Sequence, residues 1–128
     1  MAKILVVDDD PDITYAVSLF LRKKGHEVET AASRAEGMSA IASGKPDLLI
    51  LDVMMEQPDD GIAMAQELRR TGRPLPIVML TSVGKVTGMT FDKDSDMVPV
   101  DVFFEKPVQP DELLRAVTEL LQAKGARP

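Results

Sequence analysis

Carboxylates, hydroxyls and a lysine follow the short apolar runs of this sequence, where they could take part in chemistry together. The residues after each run are, in chain order, Asp8, Asp9 and Asp10 after Ile4–Val7, Asp52 after Leu48–Leu51, Thr81 and Ser82 after Ile77–Leu80, and Glu105 and Lys106 after Val102–Phe104. An ionised carboxylate at the end of a buried run is costly unless it is paired, binds a metal or lies at the rim of a cleft. The elements that carry these residues decide whether they meet.

Helical patterns lie between the apolar runs. The first, with an apolar stripe at i, i+3, i+4, i+7 and i+8 from Ile13, has Asp10 as its predicted N-cap and Gly25 at its stop. The second opens with a "SRAE" capping box and is predicted to end before Gly44. The third is predicted from about Gly61 to Arg70, and the last from near Pro110 to before Gly125. This alternation predicts an α/β fold, with right-handed crossovers and a parallel sheet covered on both faces.

Composition restricts the function classes. A chain of 128 residues, 45% of them apolar and 28% charged, is expected to form one globular domain. A net charge of −6 argues against direct nucleic-acid binding. Apolar runs are too short for a membrane span or a secretory signal, and cysteine is absent from the sequence. We therefore expect a cytoplasmic domain without membrane or nucleic-acid contacts.

The polar residues after the strands predict a metal-assisted phosphoryl-transfer site. In parallel sheets of this kind, ligands bind beyond the carboxyl ends of the strands, where these residues would converge. Two carboxylates ~4 Å apart repel each other by roughly 4 kcal/mol at an effective dielectric of 20, so the cluster requires a cation. Hard oxygen ligands suit Mg²⁺. With a lysine and a hydroxyl nearby, Asp52 is a plausible nucleophile for a phosphoryl group.

Four segments carry a resemblance over essentially the whole chain. In order and spacing, "KILVVDDDPDI", "LLILDVMM", "PIVMLTS" and "FFEKPV" resemble the receiver (CheY-like) domain of bacterial two-component response regulators. The resemblance implies a flavodoxin-like five-stranded sheet of order 2-1-3-4-5, and residues 1–128 as a single receiver domain without an output domain. It implies a signalling domain and not an enzyme. This domain would take its phosphoryl group from a histidine kinase or a histidine phosphotransfer protein. Readout would occur by contact with another, unidentified protein.

The resemblance also implies a role for individual residues. Asp52 matches the phosphoacceptor, and Asp8 and Asp9 match the acidic pair that holds Mg²⁺, with Asp9 the more direct ligand. The backbone carbonyl of Met54 matches a further metal ligand. The remaining matches are Thr81 as the hydroxyl that binds the phosphoryl oxygen, Lys106 as the lysine that pairs with the phosphoryl group, and Phe103 as the aromatic switch residue that acts with Thr81.

Two segments depart from the family pattern. The loop "EQPDDG" after the acceptor strand is one residue longer than usual and borders the acceptor site. The fourth crossover contains "GKVTGMTFDKDSDMVPVD", which has two glycines, a proline and no amphipathic stripe. Helix propensity there is poor, so residues 83–100 are predicted to form a short, frayed or absent helix. The surface that would report phosphorylation is therefore atypical.

Two other interpretations are open. "VVDDD" contains the D-x-D that opens phosphatases of the haloacid dehalogenase type, with Asp8 as nucleophile and Asp10 as acid/base. Against this, Pro11 and Asp12 stand where that motif has Thr or Val, and the chain is short. The second interpretation is a receiver that acts without phosphorylation. The intact set of acceptor, hydroxyl and lysine argues against it. Phosphate on Asp52 or on Asp8 would discriminate the receiver from the phosphatase.

Overall fold

The computed structural model describes residues 2–52, 60–70, 75–82, 102–106 and 109–125, and for residues 60–62, 81–82, 103, 105–106 and 123–125 it describes the backbone alone. The strands are β1 (Lys3–Val7), β2 (Glu27–Ala31), β3 (Leu48–Asp52), β4 (Ile77–Ser82) and β5 (Val102–Lys106). The helices are α1 (Pro11–Lys23), α2 (Arg34–Gly44), α3 (Asp60–Arg70) and α4 (Pro110–Gly125). The predicted α/β alternation is confirmed. The fourth crossover, residues 83–100, and the loop that contains Met54 lie outside the described residues.

The described strands form one parallel sheet in the order β2-β1-β3-β4-β5. Because all the strands run the same way, their carboxyl ends lie along one edge. The strands β1 and β3 are neighbours near the middle of the sheet, in a register that pairs Val7 with Leu51. The residues that follow these two positions are Asp8 and Asp52, so the sheet brings the carboxylates of two separate segments to adjacent positions.

The core has two layers, one on each face of the sheet. Leu49 and Leu51 of β3 belong to the cluster that packs against α2 and α3, whereas Leu48 and Ile50 belong to the cluster that packs against α1 and α4. This division follows from the alternation of side chains along a strand. All five residues of β3 are buried, as the continuous apolar run predicted. The rigid sheet fixes the position of the residue that ends it.

The two predicted N-caps are confirmed. The carboxylate of Asp10 accepts a hydrogen bond from the Asp12 N–H at 2.9 Å, and Pro11 opens α1. The hydroxyl of Ser33 accepts from the Glu36 N–H at 3.1 Å at the start of α2. These side chains satisfy backbone donors that a helix leaves unpaired in its first turn. At the far end of α1, Gly25 has a φ of 87°, a left-handed conformation that ends the helix.

Helix α2 differs from its predicted end. It includes Gly44, and the residue in left-handed conformation is Lys45, with a φ of 48°. Inside the helix, Gly37 allows a close approach to the sheet, because a Cβ there would lie 3.0 Å from Cγ2 of Val7.

The strands β4 and β5 are longer than predicted, so Thr81, Ser82, Glu105 and Lys106 lie within strands instead of after them.

Ion pairs connect neighbouring elements at the surface. Lys3 of β1 contacts Glu29 of β2 at 2.8 Å and Glu27 at 4.0 Å. Arg34, at the start of α2, contacts Glu67 of α3 at 2.9 Å, and each of the two side chains is 37% exposed. Exposed pairs of this kind contribute little to stability, typically about 0–1 kcal/mol each.

Among the helices that the structure describes, none is long and apolar enough to cross a bilayer.

Candidate metal centre

Three carboxylates converge at the carboxyl ends of β1 and β3. One oxygen from each of Asp8, Asp9 and Asp52 lies within 4.8 Å of the others. Asp8 and Asp9 follow the last residue of β1, and Asp52 is the last residue of β3. The cluster therefore combines two acids from one turn with a third from a strand that lies beside it in space but about forty residues away in sequence.

Burial makes this cluster electrostatically demanding. Asp8 is 1% exposed and Asp52 is 5% exposed, whereas Asp9 lies at the surface. Two unit charges 4.8 Å apart at an effective dielectric of 20 repel each other by about 3.5 kcal/mol. A buried carboxylate also loses hydration, which adds to this cost. The arrangement is suited to a bound cation, which the buried acids would hold from inside and Asp9 from the solvent side.

The donor set fits Mg²⁺ in type and in spacing. Carboxylate oxygens are hard ligands, and Mg²⁺ usually combines one or two of them with waters. With metal–oxygen distances of about 2.1 Å, oxygens at adjacent octahedral positions lie about 3 Å apart and those at opposite positions about 4.2 Å apart. The three oxygens, within 4.8 Å of one another, need to close by only a small distance to share one ion.

Backbone hydrogen bonds hold the turn that carries Asp8. The Asp8 N–H donates to the Ala31 carbonyl at 3.0 Å, which extends the β1–β2 ladder by one residue. The Oδ1 atom of Asp8 accepts from the Asp10 N–H at 2.9 Å. Sequence reasoning identified Asp10 as a cap but missed this second bond. The signal in the sequence was the run of three aspartates, which places the predicted cap Asp10 two residues after the buried acid Asp8.

The other predicted site residues are described by their backbone or lie outside the described ranges. In the β3–β4 ladder, Asp52 pairs with Leu80, one residue before Thr81. In the β4–β5 ladder, Thr81 pairs with Glu105 and Ser82 with Lys106, while Phe103 pairs with Met79. The backbones of Thr81 and Lys106 therefore lie at the same edge of the sheet as the acidic cluster. Met54 lies outside the described residues.

His26 lies between the end of α1 and the start of β2 and is partly buried. Its Nδ1 atom is buried and has no hydrogen-bond partner among the described residues. Burial lowers the pKa of His26 below the ordinary value of 6.5. It precedes β2, and therefore lies toward the amino ends of the strands, away from the acidic cluster. We assign it no part in the site.

Comparison with known proteins identifies the family. The sequence model described as the response regulator receiver domain matches residues 4–118. The response regulator MprA of Mycobacterium avium is 38% identical over 120 residues, which is 94% of this chain and 51% of MprA. RpaA of Synechocystis, described as a DNA-binding dual master transcriptional regulator, is 35% identical over an aligned length of 130 residues that covers 100% of this chain and 52% of RpaA.

Solved structures agree with the sequence relatives. A CheY-like receiver domain protein from Methanospirillum hungatei superimposes with a TM-score of 0.84 at 25% identity, covering 100% of this chain and 99% of that one. NtrX from Brucella abortus superimposes with a TM-score of 0.81 at 30% identity, covering 98% of this chain and 27% of NtrX. A flavodoxin-like α/β fold with an acidic cluster at its carboxyl edge thus defines a receiver-type signalling domain.

The chain belongs to the response regulator receiver domain family. It is a phosphoacceptor of two-component signalling, and the predicted class of signalling domain is confirmed. The alternative of a haloacid dehalogenase-type phosphatase, with Asp8 as nucleophile, is not supported by this match. The chain spans about half the length of the curated relatives it matches. Since RpaA is described as DNA-binding, the expected lack of nucleic-acid contact stays a prediction.

Proposed function

We propose that Asp52 accepts a phosphoryl group from a phosphohistidine of a histidine kinase or a histidine phosphotransfer protein, in a reaction that depends on Mg²⁺. One observation supports this most strongly. A buried carboxylate ends the central strand β3, and two further carboxylates, from the two residues that follow β1, each have an oxygen within 4.8 Å of it. A single buried acid at this edge would carry the cost of an unpaired charge, whereas three acids together form a cation site beside a nucleophile.

The transfer is a displacement at phosphorus. A carboxylate oxygen of Asp52 attacks the phosphorus atom, the bond from phosphorus to the imidazole nitrogen breaks, and that nitrogen keeps the electron pair and takes a proton from solvent. The product is an acyl phosphate, which water can later hydrolyse to regenerate the carboxylate and release inorganic phosphate. Asp8, Asp9 and Asp52 would hold the metal, together with the backbone carbonyl of Met54 that the family resemblance implies. When bound, Mg²⁺ would supply positive charge against the phosphoryl oxygens.

The remaining roles rest on the family resemblance and on the position of the backbone. Thr81 and Lys106 belong to the two strands that follow β3 in the sheet, at its carboxyl edge. We assign to Lys106 the pairing with the phosphoryl group and to Thr81 the hydrogen bond to a phosphoryl oxygen. Phe103, on the same strand as Lys106, would change its position with Thr81 and report the phosphorylated state to a partner protein.

The same proposal covers the whole chain. Residues 1–128 form one cytoplasmic receiver domain, with the flavodoxin-like order 2-1-3-4-5 and a fourth crossover poor in helix. Phosphorylation and dephosphorylation are catalysed by the domain itself, and the output is a protein contact. The described order of the strands and the glycine- and proline-containing sequence of 83–100 support these assignments.

Intact mass spectrometry after incubation with acetyl phosphate and MgCl₂ tests the acceptor. The wild-type protein is expected to gain one phosphoryl group, and Asp52→Asn is expected to gain none. Asp111→Asn is the matched control, since Asp111 is an exposed acid in the first turn of α4, and it should be phosphorylated like the wild type. A phosphoryl group on Asp52→Asn that disappears in Asp8→Asn would move the nucleophile to Asp8 and overturn the proposal.

A further inference from the structure

The third aspartate of the run contributes to the site without belonging to the acidic cluster. Asp10 is exposed, and its carboxylate is not among the three that lie within 4.8 Å of one another. Its backbone and side chain instead connect α1 to the cluster. The Asp10 N–H donates to Oδ1 of Asp8 at 2.9 Å, and the Asp10 carboxylate accepts from the Asp12 N–H at 2.9 Å.

The conformation of residue 10 is fixed from both sides. Its φ of −92° and ψ of 110° are extended, as an N-cap requires, and its carbonyl accepts hydrogen bonds from the Ile13 and Thr14 N–H groups at 3.1 and 3.2 Å. The side-chain cap stabilises this conformation. With the carbonyl directed into the helix and the side chain over its first turn, the remaining donor of Asp10 is the N–H that points back to Asp8.

We propose that Asp10 is a positioning residue for the Mg²⁺ site, an inference that rests on the proposed function. By capping α1 it holds its own N–H against Asp8, and this bond orients the buried carboxylate that binds the metal. The contribution comes from geometry and not from the charge of Asp10. Hydrogen bonds to metal-binding groups act in this way in many sites, where their loss weakens metal binding about 10–100-fold.

The geometry separates Asp10 from the two acids before it. Asp8 and Asp9 supply oxygens to the cluster, so replacing either by a neutral residue removes a ligand. Asp10 supplies a hydrogen-bond acceptor to the helix, and asparagine is an equally good acceptor at an N-cap. Asp10→Asn should therefore retain Mg²⁺ affinity, whereas Asp10→Ala, which removes the acceptor, should lose it.

Mg²⁺ titrations of the full chain, followed by ¹H–¹⁵N NMR in 0.15 M KCl, measure this difference. This salt screens charge effects beyond about 8 Å. Asp10→Ala is expected to raise the Kd about tenfold, and Asp10→Asn to leave it within about twofold of the wild type. The amide proton of residue 10 should move upfield in Asp10→Ala and stay in place in Asp10→Asn, because the bond to Asp8 is lost in the first variant and kept in the second.

Ser33→Ala is the matched control. Ser33 caps α2 by accepting the same kind of bond from the Glu36 N–H, and among the described residues it makes no hydrogen bond to the acidic cluster. It should lower the melting temperature about as much as Asp10→Ala does and leave the Kd unchanged. If Asp10→Ala loses stability but binds Mg²⁺ like the wild type, Asp10 is a helix cap alone and the inference is overturned.

Two further outcomes contradict the inference in distinguishable ways. A loss of affinity in Asp10→Asn equal to that in Asp10→Ala would show that the charge of Asp10 acts, and this arm remains decisive even if Asp10→Ala does not fold. A wild-type protein that does not bind Mg²⁺ would overturn the proposed metal site, and the role of Asp10 with it.

Discussion

Removing the carboxylate at position 52 is expected to stabilise the protein when no divalent cation is present. In the wild type, Asp52 and Asp8 are both buried, with carboxylate oxygens no more than 4.8 Å apart. At an effective dielectric of 20, their repulsion is about 3.5 kcal/mol, and the exposed Asp9 adds a smaller, solvent-screened contribution. Asparagine has nearly the same shape and no charge, so Asp52→Asn relieves this repulsion.

The expected gain is smaller than the Coulomb figure. Asp52 also makes interactions within the fold, and any of them that an amide cannot reproduce reduces the gain. Losing a hydrogen bond to a charged group typically costs about 1.5–3 kcal/mol. We therefore expect Asp52→Asn to raise the free energy of unfolding by about 0.5–2 kcal/mol. For a domain of this size, that corresponds to an increase in Tm of about 2–8 °C.

Urea and thermal unfolding, followed by circular dichroism in EDTA at neutral pH and low salt, measure the change. Asp111→Asn, at an exposed position, should shift the free energy of unfolding by less than about 0.5 kcal/mol. Adding MgCl₂ should stabilise the wild type by RT ln(1 + [Mg²⁺]/Kd) and Asp52→Asn much less, so the difference between them should shrink. A variant less stable than the wild type in EDTA would show that carboxylate repulsion does not dominate this cluster, and the electrostatic reasoning would be wrong.

Other predictions concern local packing, strain and pH. Gly37→Ala should lower the free energy of unfolding, measured in urea, by about 1 kcal/mol. A Cβ 3.0 Å from Val7 overpacks the core, and this cost exceeds the stabilisation that alanine brings through its higher helix propensity. Gly44→Ala is the control and should not be destabilising, because its Cβ would meet only the ends of flexible side chains. Lys45→Gly should raise the Tm through relief of about 1 kcal/mol of left-handed strain, and an unchanged Tm would argue against that strain. The pKa of His26 is lowered on folding, so the unfolded chain binds the proton first and stability should fall as the pH decreases through 6.5 toward the lowered value. His26 is the single histidine of the sequence, so His26→Gln should abolish this slope in unfolding curves above about pH 5, and a retained slope would contradict the assignment.

The features that sequence analysis predicted correctly depend on local chemistry or on a rule of topology. Asp10 and Ser33 cap their helices because short polar side chains compete well for the first backbone donors. The meeting of Asp8 and Asp52 follows from parallel strands, whose carboxyl ends share one edge. Neither prediction requires knowledge of how side chains pack.

The features that it missed depend on exact backbone geometry or on contacts between distant elements. A glycine at position 44 suggested that α2 ends before it, yet Gly44 is the last residue of the helix and Lys45 after it adopts the left-handed conformation. The bond from the Asp10 N–H to Asp8 requires the φ and ψ of the turn. The pair of Arg34 and Glu67 joins residues 33 positions apart on two helices, and nothing in the sequence pattern specifies it.

The outer strand β2 affects how copies of this protein meet one another. It is the last strand on its side of the described sheet, a position at which another chain can add by backbone pairing, although the Val28 carbonyl already accepts a hydrogen bond from the Arg22 side chain at 3.1 Å. Glu27 and Glu29 stand along this strand, 61% and 45% exposed, and are tied to Lys3 on the neighbouring strand. A second copy adding a strand here would bring its own glutamates beside these and strip water from all of them. The mutual repulsion of these glutamates would therefore oppose edge-to-edge pairing of two copies.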